Sequence, residues 1–494
     1  MISSPTASAC FPSSTPAPSS LIAALSAIVG PAHVLTRESG ADLVAWERDW
    51  RGRQQGHALA VVRPASTAEV AAVVRTCAAA GVPIVPQGGN TGLVVGGVPD
   101  GSGREVVLSL QRLNRIRAID RANLTLTAEA GCILQAVQEA AQGAGLLFPL
   151  SLAAEGSCTI GGNLATNAGG TQVLRYGNTR DLCLGLEVVT AQGEVWEGLS
   201  GLRKDNTGYD LRHLFIGSEG TLGIITAACL RLYPPPVAQL TAWAALPSLD
   251  AAVSFLELAQ QQLAAGLTGF ELMGQFALRL VDKHYAHLRV PLWRDAPYCV
   301  LLEHSHFDSD AHARSPLEGL LEAALAQSLV SDAIVAENLA QARALWHIRE
   351  SIPLAQTQEG LNIKHDVSVA VSRIPSFVAD ATATLAAALP GIRVVNFGHL
   401  GDGNLHFNVQ APEGTDPAVF LREQEARVNT LVYDAVARAG GSISAEHGIG
   451  ALKVHTLPHY KSPVALDLMA RIKHALDPAG LLNPGRVVPH QKKP

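Results

Sequence analysis

Two histidines that could bind a metal lie in the stretch NFGHLGDGNLHFNV, residues 396–409. Its centre, Asp402-Gly403, favours a type I′ hairpin turn because both residues tolerate positive φ. With that two-residue loop, His399 is expected directly opposite His406, with their Cβ atoms roughly 5 Å apart. Two imidazoles on one face of a hairpin indicate a metal site that needs a third ligand, and a polar surface hairpin is the alternative.

A third ligand and a base are available in the segment SAEHGIG, residues 444–450. Glu446 could complete a His2Glu site, which leaves positions open for a substrate and suits a borderline cation such as zinc. His447 would then lie near whatever the metal binds, and a neutral imidazole is a suitable general base near pH 7. The alternatives are a surface carboxylate and a capping imidazole.

Three further polar residues could bind an acidic substrate. Asn408 lies two residues after His406 and so projects to the same face of its strand. Arg349 and Lys364 could hold a carboxylate, Arg as a bidentate fork and Lys as a point charge. The alternative for both cations is ion pairing with neighbours such as Glu350 or Asp366. His304 and His306, which lack a partner at ligand spacing, are interpreted as structural.

Three glycine-rich runs precede this region, at 86–92, 156–170 and 217–226. In the first run, PQGGNTG, successive backbone N–H groups could converge on a diphosphate. The chain contains neither the G-x-G-x-x-G fingerprint nor a Walker A loop, which argues against NAD(P) on a Rossmann fold and ATP on a P-loop. One such run could be an ordinary turn. Three of them suit an extended ligand with a diphosphate, a sugar and a flat ring, such as FAD.

The amino-acid composition excludes several kinds of protein and of binding site. The 494 residues are 48% hydrophobic and 16% charged, which predicts two or three well-buried domains. The net charge of −6 gives no reason to expect nucleic-acid or anionic-membrane binding. Seven cysteines without a CxxC pair indicate reduced thiols and argue against iron–sulfur clusters and Cys-type zinc sites. No transmembrane stretch or leader pattern is recognised, so a cytoplasmic location is expected.

The order of predicted elements divides the chain at the rigid Pro234-Pro235-Pro236 run. Before it we expect an α+β FAD-binding unit, and after it β-α-β-β-α-β units with helices on one face of a sheet. The expected divisions are a disordered tail (1–20), a helical segment (21–55), the FAD domain (56–235), a substrate and metal domain (236–455), and a helical C-terminal segment that packs back on the FAD domain (456–494).

The chain resembles the FAD-dependent D-2-hydroxyacid dehydrogenases of the vanillyl-alcohol oxidase / p-cresol methylhydroxylase (PCMH) superfamily, and within them the D-2-hydroxyglutarate dehydrogenases. The resemblance runs from about residue 40 to residue 489. It rests on these motifs: PQGGNTGL (86–93), TIGGNLATNAGG (159–170), GSEGTLGIIT (217–226), GHLGDGNLHFN (398–408), EHGIG (446–450) and LNPGR (482–486). It implies a two-subdomain PCMH-type FAD-binding domain followed by a ferredoxin-like α+β substrate domain.

The resemblance also implies roles for individual residues. His399, His406 and Glu446 correspond to metal ligands, Arg349, Lys364 and Asn408 to substrate-binding residues, and His447 to the base. The implied FAD contacts are Pro86, Gly88, Gly89, Asn90, Thr91, Gly92, Pro149, Gly161, Gly162, Asn163, Thr166, Asn167, Gly170, Gly220, Ile225 and Asn483. The first glycine loop contains no His, so FAD is expected to be non-covalent.

These roles imply the oxidation of a D-2-hydroxy acid, with D-2-hydroxyglutarate as the best candidate. Relatives that act on this acid carry a threonine one helical turn beyond the residue that corresponds to Arg349, where this chain has Pro353. The alternative is a D-lactate dehydrogenase or a glycolate oxidase flavin subunit within an electron-transfer complex. The expected acceptor is an electron-transfer flavoprotein, a quinone or a cytochrome. A homodimer is compatible with this interpretation.

Overall fold

The computed structural model describes residues 18–489, and it begins with a helix, α1 (Pro18–Val29). Residues 1–17 of the predicted tail lie outside the described part. The prediction is wrong for residues 18–20, which form the first turn of α1. Proline suits a first turn because the N–H groups there have no intrahelical partner.

The first sheet has four strands in the order β1-β2-β4-β3. Helix α3 begins at the cap Ser66, whose Oγ accepts from the Glu69 N–H, and ends at Gly81 (φ 65°). It packs on α1, and the parallel strands β2, β4 and β3 lead the chain into the first glycine loop. The elements are β1 (Val34–Leu35), α2 (Val44–Glu47), β2 (Ala58–Val62), α3 (Thr67–Ala80), β3 (Ile84–Gln87) and β4 (Glu105–Ser109).

The second sheet is antiparallel and has the order β5-β6-β9-β7-β8. Its apolar face packs on α4 and α5, so the second glycine run, which contains α5, is held against the sheet. The elements are β5 (Ile116–Asp120), β6 (Thr125–Glu129), α4 (Leu134–Gly143), α5 (Ile160–Thr166), α6 (Val173–Tyr176), β7 (Cys183–Val189), β8 (Val195–Gly198), α7 (Arg212–Phe215) and β9 (Ile224–Arg231).

The third sheet has eight strands in the order β13-β10-β12-β11-β16-β17-β14, with β15 also on β17. Its first four strands have the ferredoxin-like β-α-β-β-α-β connectivity, with α9 inserted between β11 and β12. The elements are β10 (Ala238–Leu246), α8 (Leu249–Leu263), β11 (Leu267–Gly274), α9 (Gln275–His284), β12 (Tyr298–His306), α10 (Asp310–Ala326), β13 (Asp332–Val335), α11 (Leu339–Glu359), β14 (Asn362–Ile363), β15 (Asp366–Ser368), α12 (Ile374–Ala388), β16 (Arg393–His399), β17 (Asn404–Gln410), α13 (Pro417–Arg438), α14 (Leu457–Tyr460) and α15 (Pro463–Leu476).

Helices cover both faces of this sheet, whereas the sequence predicted one face. In β10, Ala242 and Ala244 face a core formed with α8, α10, α12 and α13. Trp243 and Ala245 face a second core, formed with α9 and α11. Because β10 is apolar at successive positions, both of its faces can be buried.

The hairpin of β16 and β17 has a longer loop than predicted. Residues 400–402 form a 3₁₀ turn that ends at Gly403 (φ 81°), so the loop has four residues. His399 consequently pairs with Asn404, and His406 pairs with Phe397. The predicted direct pairing of the two histidines is therefore wrong by two residues. Since a two-residue shift preserves strand parity, both imidazoles still share one face.

The C-terminal segment contacts the first sheet. Leu482 lies beside β3, where the Ile84 N–H donates to Leu481 O and the Asn483 N–H donates to Ile84 O. Lys473 Nζ donates to the carbonyls of Thr221 and Leu482. This is the kind of contact that the sequence predicted, and the domain limits remain a prediction.

Two other properties can be stated for residues 18–489. None of the helices there is both long enough and apolar enough to span a membrane. The six cysteines in this range are buried and form no disulfide with one another, and the reduced state of the thiols remains a prediction.

Candidate active site

His399, His406 and Glu446 form a compact group of ligand atoms, as the sequence predicted. One donor atom of each lies within 4.8 Å of the others. His399 Nε2 is 3.7 Å from Glu446 Oε1, and the two imidazole centroids are 5.7 Å apart. Two imidazole nitrogens and one carboxylate suit a borderline divalent cation and leave coordination positions open. The donor set therefore fits a metal ion.

A buried carboxylate that sequence reasoning missed orients His399. Glu271 on β11 lies opposite His399 on β16, and His399 Nδ1 donates to its Oε1 at 2.6 Å. With Nδ1 occupied, Nε2 is the nitrogen available for a ligand. Carboxylates often hold metal-binding imidazoles in this way. The available signal was a single charged residue in the apolar strand LTGFELMG.

Burial and the charges of neighbouring side chains shift the pKa values of His399 and Glu446. Burial alone would lower the pKa of His399, but the carboxylates of Glu271 and Glu446 outweigh it and raise the pKa to about 9. Burial raises the pKa of Glu446 to about 7, although the charge of His399 opposes that shift. Ligation needs a neutral imidazole and an ionised carboxylate, so metal binding at this group releases protons.

Arg349 on α11 pairs with Glu271, rather than with Glu350 or Asp366. Its Nε donates to Glu271 Oε2 at 2.8 Å, and its Nη2 lies 2.7 Å from the same oxygen. The guanidinium also lies over the ring of Phe397, 4.9 Å from its centroid. Nη1 makes no hydrogen bond within residues 18–489, so one edge of the guanidinium is open for the predicted carboxylate contact.

Asp366 anchors the loop that carries Glu446 and His447. Its Oδ2 accepts from the backbone N–H groups of Ala445, Glu446 and His447 at 2.9–3.2 Å. The same oxygen lies 3.7 Å from His447 Nδ1. Burial opposes ionisation, but the nearby histidines outweigh it and hold the pKa of Asp366 well below its usual range. From the sequence, Asp366 was predicted only as an ion-pair partner of a nearby cation.

Asp366 also belongs to a second group of potential ligands, with His406 and His447. Its Oδ2 already accepts three backbone N–H groups, and its Oδ1 accepts from Asn404 Nδ2 at 2.9 Å. A carboxylate occupied in this way is a poor metal ligand. Burial lowers the pKa of His447, which favours a neutral imidazole that can accept a proton. The geometry therefore favours the group that contains Glu446.

The two other predicted substrate-binding residues lie close by on β17 and before β15. Asn408 is buried, where its Oδ1 accepts from the His365 N–H and its Nδ2 donates to Gln356 Oε1. One Asn408 N–H remains without a partner within the described range. Burial lowers the pKa of Lys364, whose side chain has no ion pair or hydrogen bond within that range. Both side chains can thus contact a further group.

A cavity beside His447 is lined by the first two glycine runs. The predicted cofactor residues that line it are Pro86, Gly88, Gly89, Asn90, Thr91, Gly92, Gly162, Asn163 and Thr166. Glu219 and His447 complete the wall, so the cofactor residues and the candidate base face one space.

The other predicted cofactor residues support this wall without lining the cavity. Gly161 packs on Ala130, Gly170 on Ser151 and Gly220 on Pro86. Asn167 ends α5 in the left-handed conformation (φ 51°), and Pro149 and Ile225 are buried. Asn483 Nδ2 donates to the carbonyls of Gly96 and Glu219.

The cavity fits a flavin nucleotide. A Cβ on Gly88 or Gly89 would overlap Thr159 or Ser157, so these glycines allow the two loops to touch. Gly92 has no atom within 4 Å of the position of a Cβ, so its exposed backbone faces open space. Gln87, which lines the cavity, has a buried Oε1 that makes no hydrogen bond within the described range. Accessible backbone and an unsatisfied polar atom suit a polar, elongated ligand.

Glu219 connects the cofactor wall to the loop that carries His447. The sequence did not predict a role for it. Its carboxylate accepts from the Ile449 N–H at 2.7 Å and from the Gly450 N–H at 2.8 Å. Glu219 itself has a positive φ of 53°, and burial raises its pKa. These contacts hold the EHGIG loop against the third glycine run.

Comparisons with known proteins agree with this arrangement. A family model described as a FAD binding domain matches residues 58–198, and one described as the C-terminal domain of FAD linked oxidases matches residues 235–487. A D-2-hydroxyglutarate dehydrogenase of Xanthomonas citri pv. viticola is 44% identical, over 90% of this chain and 93% of the relative. A mitochondrial D-2-hydroxyglutarate dehydrogenase of Arabidopsis thaliana is 39% identical, over 90% and 77%.

A solved structure of p-cresol methylhydroxylase with bound substrate matches with a TM-score of 0.74 and 17% identity, covering 95% of this chain and 96% of that one. This similarity supports the fold, and the sequence matches establish the relationship. The chain therefore belongs to the family of FAD-linked oxidases and dehydrogenases that includes the D-2-hydroxyglutarate dehydrogenases.

Proposed function

We propose that this protein catalyses the FAD-dependent oxidation of D-2-hydroxyglutarate to 2-oxoglutarate. The observation that carries the proposal is the shared cavity, in which the glycine-rich walls and His447 face the same space. The names and extent of the relatives support the choice of substrate.

In this proposal His447 accepts the proton of the substrate hydroxyl. Its pKa, lowered by burial, favours the neutral form that a base requires. Asp366 holds the backbone on both sides of Glu446 and so fixes the position of the adjacent imidazole. The open edge of Arg349 and the free Lys364 ammonium bind carboxylate oxygens, and the remaining N–H of Asn408 orients the substrate.

The first two glycine runs would hold FAD, which would supply the acceptor for the hydride that leaves C2 of the substrate. A divalent cation, held by His399, His406 and Glu446, would stabilise negative charge on the hydroxyl oxygen. We propose zinc, because the donor set contains two imidazoles and one carboxylate. Glu271 keeps His399 in the tautomer that this ligation requires.

The proposal also covers the electron acceptor and the cellular location of the protein. The proposed electron acceptor is an electron-transfer flavoprotein, a quinone or a cytochrome. The location is cytoplasmic, although several relatives carry names that place them in mitochondria.

Anaerobic reduction of the bound flavin tests the proposed function. Purified protein supplemented with FAD and zinc should be yellow, and D-2-hydroxyglutarate should bleach the visible flavin band. The L enantiomer serves as the control and should leave the band unchanged. A protein that takes up no FAD, or whose flavin is not reduced by D-2-hydroxyglutarate, would refute the proposal.

A further inference from the structure

Lys364 is a largely buried cation that has no anionic partner within residues 18–489. It forms no ion pair and no side-chain hydrogen bond there. A buried ammonium without a counter-ion is costly, and such groups usually bind an anion or lose their proton. Burial is the main cause that lowers its pKa, and the positive charge of Arg51 is the second. Lys364 therefore has a second cation nearby.

Arg51 likewise forms no ion pair in the described part of the chain, and the carboxylates of Asp49 and Glu425 act on it only at longer range. Its guanidinium makes a single hydrogen bond, from Nη2 to Leu93 O at 2.8 Å. Its Nε is buried and makes no hydrogen bond there. A guanidinium offers five N–H donors in a fork that matches a carboxylate. Most of the donors of Arg51 are therefore available for a ligand.

The contact with Leu93 places Arg51 behind the segment that forms one wall of the active-site cavity. The next residue, Val94, lines that cavity together with His447. Val94 O also accepts from the N–H groups of Ala451 and Leu452, immediately after the EHGIG loop. The guanidinium thus lies against the segment that connects the cofactor wall to the loop of the candidate base.

We propose that Arg51 binds the distal carboxylate of a dicarboxylic substrate and contributes to its selection over monocarboxylic D-2-hydroxy acids. Two neighbouring cations that form no ion pair within residues 18–489, Arg51 and Lys364, suit an anionic group in a partly buried place. Pro353 on α11 has neither a hydroxyl nor an N–H to offer, so a charged donor from the N-terminal segment provides recognition that α11 lacks at this position. This inference rests on the proposed function and goes beyond it by assigning a specificity residue.

The test compares Arg51→Met with the unmutated holoenzyme on two substrates. D-2-hydroxyglutarate carries the distal carboxylate, whereas D-2-hydroxyvalerate has the same carbon chain and ends in a methyl group. Arg51→Met should raise the KM for the dicarboxylate about 10- to 100-fold, the value of a charge-assisted hydrogen bond, and leave kcat/KM for D-2-hydroxyvalerate unchanged. Arg51→Lys should retain part of the preference.

Arg53→Met is the matched control, because Arg53 lies two residues away and pairs with Glu425 at 2.7 Å. It should leave both substrates unaffected. FAD affinity and melting temperature are measured for each variant. An unchanged KM for D-2-hydroxyglutarate in Arg51→Met, an equal loss for both substrates, or weaker FAD binding by Arg51→Met would overturn the inference. Activity of the unmutated enzyme on D-2-hydroxyglutarate in the same assay keeps this result separate from a failure of the proposed function.

Discussion

Glu271→Gln is the substitution that most directly tests how the metal group is organised. Glu271 is 1% exposed and connects His399 Nδ1 to the guanidinium of Arg349. Gln retains the size of the side chain and one acceptor oxygen, but it removes the negative charge between two groups that can carry positive charge. The substitution thus isolates charge from packing.

The expected losses of zinc affinity and of folding stability follow from the contacts of Glu271 with His399 and Arg349. Replacing a carboxylate behind a metal-binding imidazole typically weakens metal affinity by about 10- to 100-fold, or about 1.4–2.8 kcal/mol. Arg349 also loses its buried counter-ion, and breaking such a pair costs about 3–5 kcal/mol of folding stability. We therefore expect weaker zinc binding together with a lower melting temperature.

Zinc affinity is measured by competition with a chromophoric chelator, and stability by chemical denaturation. Glu303→Gln provides the control, because Glu303 is also a buried carboxylate, on neighbouring β12, and its bonds go to Thr268 and Trp346. It should leave zinc affinity unchanged. Equal zinc affinity in Glu271→Gln and the unmutated protein would refute the role given to Glu271.

Three other substitutions have defined outcomes. Asp366→Asn should lower the rate of flavin reduction about 10- to 100-fold through misplacement of the base, with FAD affinity retained; a native rate in stopped-flow absorbance would contradict this. Gly92→Ala should weaken FAD binding in fluorescence titrations, because the added Cβ would project from the cavity wall. It should not change the melting temperature, because no protein atom lies within 4 Å of that Cβ. Gly101→Ala is the control: Gly101 also faces open space but does not line the cavity, so this variant should change neither quantity. Cationic partners outweigh burial and lower the pKa of Glu359 to about 2, so its stabilising effect is complete above its usual pKa of about 4.5 and is lost as the pH falls toward 2. Glu359→Gln should therefore flatten the fall of unfolding free energy over that interval, and an unchanged pH profile would contradict the assignment.

The ligand group could be predicted from sequence because its members follow local rules. Strand parity is enough to place His399 and His406 on one face, even though the loop between them is two residues longer than the turn chemistry suggested. The EHGIG segment could be chosen because it places a carboxylate beside a histidine. The glycine runs could be recognised because backbone without side-chain bulk is itself a signal.

The supporting residues could not be predicted, because they depend on how distant elements meet. Glu271 contacts His399 only because β11 and β16 are neighbours in the sheet, across 128 residues of chain. Asp366 and Glu219 both accept hydrogen bonds from backbone N–H groups of the 445–450 loop. Because every residue except proline has such a donor, the types and spacing of side chains in the sequence do not reveal these contacts. The helices on both faces of the third sheet were not predicted, although apolar residues at successive positions of β10 are the pattern of a strand buried on both faces.

The central claim is that His447 acts as the base in a cavity it shares with the flavin. Its most direct test is anaerobic stopped-flow reduction of FAD-loaded protein by D-2-hydroxyglutarate, with His447→Gln compared with the unmutated enzyme. We predict that the variant retains FAD and that its flavin is reduced at least about 100-fold more slowly, the lower end of what a general base contributes. Reduction of the variant flavin at the native rate would contradict the account.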